Sequence, residues 1–193
     1  KLLLEAAKNT DEKNIGFVDF QGHDFSSRGM QHPEAAVSSS LGFLTSFKGT
    51  DTIPALEAAA YYYNEKNVAF SVPASEHAVM TAYGKEEEIN GFKRLMEQYP
   101  TGILSVVSDS FDLWKVCTEF LTTLKSQILT RDGKLVIRPD SGDPVDIICG
   151  TTEPSGTYQG NWNDLPQAKG VIELLWNVFG GTVNEQGYKV LDP

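Results

Sequence analysis

The sequence predicts an α/β protein in which parallel strands are covered by helices. Short apolar segments rich in β-branched residues alternate along the chain with longer stretches of helical pattern. Regular alternation of that kind places the strands in a parallel sheet, either open or closed into a barrel. Polar residues able to do chemistry also recur just after the apolar runs, at the carboxyl edge where such folds gather their working groups. The composition agrees: 193 residues, 40% hydrophobic and 22% charged, suffice to bury a sizeable core.

In order, the opening KLLLEAAKN reads as part of a helix. "IGFVDF" (15–20) reads as a first strand, followed by the polar loop "QGHDFSSRG". Residues 33–46 read as a helix, with Pro33 and Glu34 suited to its first turn by a fixed φ and a negative charge near the amide end. "FKGTD" (47–51) ends a second short strand, and "TIPALEAAAYYY" (52–63) is the next helix. "VAFSVP" (68–73) is a third strand, after which Ser75 is a candidate cap for a helix over 76–83. A charged helix over about 85–99 leads to "GILSVVSD" (102–109), the most strongly apolar strand, with Ser110 to Leu124 as its helix. "KLVIRPD" supplies the fifth strand; within it Leu135, Val136 and Ile137 suggest burial on both faces. Residues 150–164, rich in Gly, Thr and Pro, read as an inserted surface loop. A helix over 165–179 and a hairpin in "GTVNEQGYKVL" complete the pattern.

Charge and composition exclude several classes. A net charge of −10 argues against a nucleic-acid partner, whose phosphates need a positive face. No apolar run approaches the roughly 18 residues of a membrane-spanning helix, so no membrane partner is expected. Cys117 and Cys149 lie far apart and outside any metal-type spacing, making a reduced, cytoplasmic setting the expectation. The chain starts without methionine and stops just after a strand-like segment; it reads as one piece of a longer protein, truncated at both ends.

The strand ends are the candidate site. His23, Asp24 and Arg28 follow the first, Lys48 and Asp51 the second, and Ser75, Glu76 and His77 the third. Ser108 and Asp109 follow the fourth, and Arg138 and Asp140 the fifth. Arginine, lysine and histidine can hold a polyanion, arginine through bidentate forks. Asp109 and Asp140 can accept from sugar hydroxyls or hold a magnesium ion through waters. A phosphorylated sugar with Mg²⁺ satisfies both sets. In "LVIRPDSGDP" (135–144), Pro139 stiffens a turn that aims Arg138 and Asp140 in different directions.

Five short motifs, in order, resemble the nicotinamide phosphoribosyltransferases: "HDFSSRG" (23–29), "FKGTDT" (47–52), "SVPASEH" (71–77), "SVVSDSFD" (105–112) and "IRPDSGDP" (137–144). The resemblance implies part of a type II phosphoribosyltransferase-like α/β barrel, residues 1–193 being a single segment of that catalytic domain. It implies a glycosyltransferase of NAD salvage that joins nicotinamide to phosphoribosyl pyrophosphate, giving nicotinamide mononucleotide and pyrophosphate. It further implies a homodimer, Mg²⁺ as cofactor and ATP as an optional coupling substrate.

The residue roles carried by the resemblance are specific. Phe25 stacks on the pyridine ring and Arg28 contacts phosphate. Asp51 accepts from the carboxamide of nicotinamide and repels nicotinate, a buried clash of like charges being enough to set selectivity. His77 is the phosphoryl acceptor from ATP, with Glu76 orienting it or meeting the ion. Arg138 and Pro139 serve the phosphate side, Asp140 the ribose, and Asp109 the ribose or magnesium. His77, Asp51, Arg138 and Asp140 form the catalytic set; Asp109, Asp140 and Glu76 are the candidates for a water-mediated metal. For Asp51 a helix N-cap is the competing structural role.

Two further readings stand beside this one. A nicotinate phosphoribosyltransferase would share the fold and differ at the base. A non-catalytic α/β module would keep the rim only to bind phosphorylated ligands. The isolated chain is expected to be inactive, because the motif set stops short of a closed barrel.

Overall fold

Capping chemistry sets where the helices begin, and sparse pairing limits the strands. The computed structural model describes residues 1–152 and 160–191 and divides into two compact units, Lys1–Ser71 with Asn184–Tyr188, and Val72–Val183 with Lys189–Pro193.

The first unit opens with α1 (Leu2–Thr10), which buries none of its residues. The segment expected as the first strand is not one: Glu12–Phe20 forms 3-10 turns kinked at Asn14, and only Val18 is buried. A short apolar run is ambiguous between strand and helix, and among the described residues no strand pairs with it. β1 (His23–Asp24) pairs in parallel with β2 (Gly49–Thr50), His23 facing Gly49 and Asp24 facing Thr50. Between them lie a 3-10 turn, Ser26–Gly29, and α2 (Pro33–Leu44). Pro33 occupies the first turn of α2 as expected, and the His32 ring accepts the Ala35 amide at its start. α3 (Ile53–Tyr63) follows Thr52 and ends at Asn64 in the left-handed region, φ 55°. α2 and α3 pack against each other, and their buried residues are small, Ala36 and Ser40 on one and Ala55 and Ala59 on the other. The expected third strand is reduced to a parallel bridge between Phe70 and Gly49 in this unit, and one between Ala74 and Ser105 in the second. Pro73, lacking an amide hydrogen, interrupts the run.

The second unit has a larger apolar core. α4 (His77–Thr81) and α5 (Glu88–Gln98) precede β3 (Thr101–Val107). A continuous helical stretch follows: α6 (Leu113–Lys115), a π-helical turn Val116–Phe120, and α7 (Leu121–Leu129). It starts at Leu113 rather than at Ser110 because the Asp112 carboxylate caps it, accepting from the Trp114 and Lys115 amides at 3.0 and 3.1 Å. β4 (Asp132–Arg138) then returns parallel to β3 in unbroken register from Thr101↔Asp132 to Val107↔Arg138. Met80, Phe92, Leu104, Val106, Phe120 and Leu121 are among the side chains that close the core. β3 is buried from Leu104 to Val107, as its sequence suggested. β4 is not covered on both faces: Val136 is 41% exposed, since β3 is its only partner among the described residues.

Ser75 does not cap α4. Glu76 occupies that position, its side chain making no capping hydrogen bond, and the buried Ser75 hydroxyl instead accepts the Val107 amide at 2.9 Å. After α8 (Pro144–Cys149) come a 3-10 turn at Trp162–Asp164 and α9 (Pro166–Phe179). The predicted loop 150–164 is therefore partly helical, and residues 153–159 lie outside the described residues. β5 (Gly181–Val183) and β6 (Lys189–Leu191) form the expected antiparallel hairpin. The structure is thus mixed α/β with parallel strand pairs. No helix is long and apolar enough to cross a membrane among the described residues.

Candidate functional site

Two polar clusters form where the strands end, one in each unit.

In the first unit, Asp24 and Asp51 look alike in sequence but have different environments. Asp24 is buried. Its Oδ2 accepts from the hydroxyls of Thr50 and Thr52 at 3.0 and 3.1 Å. Its Oδ1 accepts the Ser26 amide at 2.9 Å, and Ser40 joins the network through Thr50. Burial alone would raise its pKa, but hydrogen bonds from Ser26, Ser40 and Thr50 outweigh it and hold the carboxyl well below the usual range. A carboxylate so saturated is an architectural hub tying β1 to β2 and to the start of α3.

Asp51 lies beside that hub and stays accessible. Its Oδ1 accepts the Ser71 hydroxyl at 2.5 Å and stands 3.2 Å from His23 Nε2. It does not cap α3, whose N-cap is Thr52. The His23 ring in turn lies 4.6 Å, centroid to centroid, from the exposed Phe25 ring. Gly49 makes this possible, since a Cβ there would come within 2.6 Å of His23 Nδ1. The first unit thus brings a flat aromatic face, an imidazole and a partly exposed carboxylate together. Arg28 is exposed in the adjoining 3-10 turn. Lys48 is engaged with Asp19 at 2.7 Å.

In the second unit the cluster is built on the ends of β3 and β4. The Asp109 side chain is 7% exposed, and its Oδ1 lies 3.2 Å from His77 Nε2. Asp109 Oδ2 accepts the Asp140 amide at 2.8 Å and the Ser141 hydroxyl at 2.5 Å. Burial pushes the Asp109 pKa up, but those bonds and the His77 ring prevail and hold it below its ordinary value. His77 Nδ1 faces Asp140 Oδ2 at 3.8 Å. Arg138, across Pro139 from Asp140, donates from Nη2 to the Ser75 carbonyl at 2.7 Å, while its own carbonyl accepts the Ser108 amide at 3.0 Å. Ser108 is buried, its hydroxyl turned to the Val106 carbonyl. Glu76 is exposed at the head of α4. That helix spans only His77–Thr81, too short to add a sizeable helix field at His77.

Several contacts gave no sequence signal of their own. Ser141 sits inside a quoted motif, yet nothing in it says that its hydroxyl meets Asp109. Ser71 likewise gains a role only through Asp51. Glu88, at the start of α5, is 2% exposed. Burial, then the negative charge of Asp112, push its pKa up to about 7, against the nearby Lys115. Among the described residues, no group of three or more His, Cys, Asp or Glu side chains is arranged to hold a metal ion.

Comparison with known proteins bears on what these clusters do. Residues 20–191 match the nicotinate phosphoribosyltransferase (NAPRTase) family. Across 99% of its length the chain is 47% identical to a protein of Acinetobacter baylyi named nicotinamide phosphoribosyltransferase. It is 43% identical, over its whole length, to a protein of that name from Mycoplasma pneumoniae, and 33% to one from Xanthomonas campestris pv. campestris. It spans 38%, 39% and 37% of those three proteins respectively.

Proposed function

The chain belongs to the nicotinate phosphoribosyltransferase family, and we propose that it is part of an enzyme of NAD salvage that joins nicotinamide to phosphoribosyl pyrophosphate, releasing pyrophosphate. One observation carries the choice of base: relatives named for nicotinamide align with the entire chain at up to 47% identity. The finer reading of the architecture is a segment of a type II phosphoribosyltransferase-like barrel, its parallel strand pairs delivering polar groups at their carboxyl ends.

Asp51 is the selector. Its carboxylate is held by Ser71 and adjoined by His23, which suits it to accept the carboxamide NH₂ of nicotinamide. Nicotinate would set a second carboxylate against it, a contact worth several kcal/mol of discrimination. Phe25 offers the ring a stacking face, and Arg28 reaches phosphate. Departure of pyrophosphate leaves an oxocarbenium-like ribose, so positioning and charge compensation suffice and no protein nucleophile is needed. Arg138 supplies cationic charge on the phosphate side, and Asp140 meets the ribose. His77 accepts a phosphoryl group when ATP is coupled. Asp109 has both oxygens engaged by protein groups, and no preformed metal cage exists among the described residues. Magnesium therefore belongs to this reading as the ion carried by phosphoribosyl pyrophosphate. A homodimer in the cytoplasm completes it, the free thiols of Cys117 and Cys149 suiting a reducing compartment.

The test is a competition. The full-length gene product receives phosphoribosyl pyrophosphate, Mg²⁺ and equal nicotinamide and nicotinate, and products are identified by mass beside an Asp51→Asn variant. Nicotinamide mononucleotide should dominate for the native enzyme, with selectivity relaxed at least tenfold in the variant, about 1.4 kcal/mol. Nicotinate mononucleotide as the main product would move the protein to the acid-using branch of its family, and absence of both products would reduce the site to ligand binding.

A further inference from the structure

We propose that Ser141 is a positioning residue that fixes the proton of His77 through Asp109. This inference rests on the phosphoribosyltransferase reading only for its kinetic consequence; the geometry stands by itself. The two Asp109 oxygens have separate duties. Oδ2 is filled from the turn after β4, by the Ser141 hydroxyl at 2.5 Å and the Asp140 amide at 2.8 Å. Oδ1 is thereby left to His77 Nε2, 3.2 Å away.

An ionised carboxylate has acceptors only. The hydrogen between Asp109 and His77 therefore sits on Nε2, and in the neutral ring Nδ1 carries the lone pair. That atom faces Asp140 Oδ2 at 3.8 Å, beyond hydrogen-bond reach. The Asp109 side chain is 7% exposed, but Ser141 itself is exposed, so a water taking its place is a mobile donor rather than a fixed one. Without the Ser141 hydroxyl the carboxylate keeps one fixed donor on Oδ2 and is free to pivot about that single bond. The imidazole then loses its fixed acceptor and samples both tautomers. The Ser141 hydroxyl donates to Asp109 and not to His77. It acts two bonds away, by setting which His77 nitrogen is bare.

The experiment uses the full-length gene product with Ser141→Ala and Ser141→Thr, the second retaining the hydroxyl. Ring-nitrogen NMR of ¹⁵N-histidine protein in alkaline buffer, where an imidazole is neutral, reads the tautomer of His77 directly. The native protein should show one tautomer with hydrogen on Nε2, Ser141→Ala a mixture, and Ser141→Thr the native pattern. ATP-dependent labelling of His77 should fall about tenfold in the alanine variant, the effect of losing one charge-assisted hydrogen bond, and return with threonine. If Ser141→Ala lacks the native circular dichroism, Ser141→Gly removes the same hydroxyl in the same turn and takes its place. An unchanged tautomer in the hydroxyl-free variant, or a loss that threonine does not restore, overturns the proposal. A native protein that makes no mononucleotide fails the functional reading instead, and leaves the tautomer result to be judged separately.

Discussion

Two carboxylates buried to similar degrees respond oppositely to pH, because one is saturated with donors and the other is not. Asp24 has its folded-state pKa depressed. Its contribution is present above the ordinary carboxylate range and is lost as pH falls below about 4. Asp24→Asn, which turns an NH₂ toward existing donors, should lower stability by about 3 kcal/mol at pH 7, read by urea denaturation. Glu88 has its folded-state pKa raised to about 7 by burial. Stability is then full below the unfolded value near 4.5 and falls as pH rises to about 7. The loss is at most about 3 kcal/mol by that shift. Glu88→Gln should flatten this limb, so that urea midpoints at pH 5 and pH 8 differ less than in the native protein. A variant whose midpoints keep the native difference would place the titration elsewhere.

Among the elements, α8 and α9 show how little room their packing leaves. Gly170 adopts φ 73° inside α9 and breaks it into two helical runs. A Cβ there would lie 2.2 Å from the Gly150 amide nitrogen at the end of α8. Gly170→Ala would combine left-handed strain with a clash against backbone, which cannot move as a side-chain end can. A loss of about 3 kcal/mol is expected, seen as a lower melting temperature and faster amide exchange in α8 and α9. The helix over 165–179 was legible from its apolar periodicity, but the break was not, because a glycine in a helical pattern is usually only a weak spot. The same gap between local pattern and outcome appears at 15–20. Its apolar residues satisfied a strand pattern, yet among the described residues no strand pairs with them and they form 3-10 turns. Ser75 was legible as a polar residue before a helix; its hydroxyl went instead to the amide ending β3.

For the whole molecule, the chain spans less than two fifths of the length of its named relatives. β4 has β3 as its only strand partner among the described residues, and Val136 on it is 41% exposed. We therefore expect the 193-residue chain, expressed alone, to show no measurable mononucleotide synthesis, while the full-length product turns over in the same assay. Robust turnover by the short chain would locate all the necessary chemistry within it.

The amino-acid sequence by itself determined most of the helices, the strands β3 and β4 with the parallel arrangement that βα alternation predicts, and the polar residues at their carboxyl ends. These follow from side-chain periodicity and from caps and prolines, which act over a few residues. Five short motifs in a fixed order also determined the family. The tertiary structure alone decided what each polar residue does there. Asp24 and Asp51 share one sequence signature, a carboxylate after a short strand. Thr50 and Thr52 bury the first, and Ser71 holds the second partly exposed. His77 and Ser141 each meet Asp109 across 32 positions of chain. Hydrogen-bond satisfaction in a buried site is a property of neighbours in space, and those neighbours exist only once the strands have brought distant segments to the same edge.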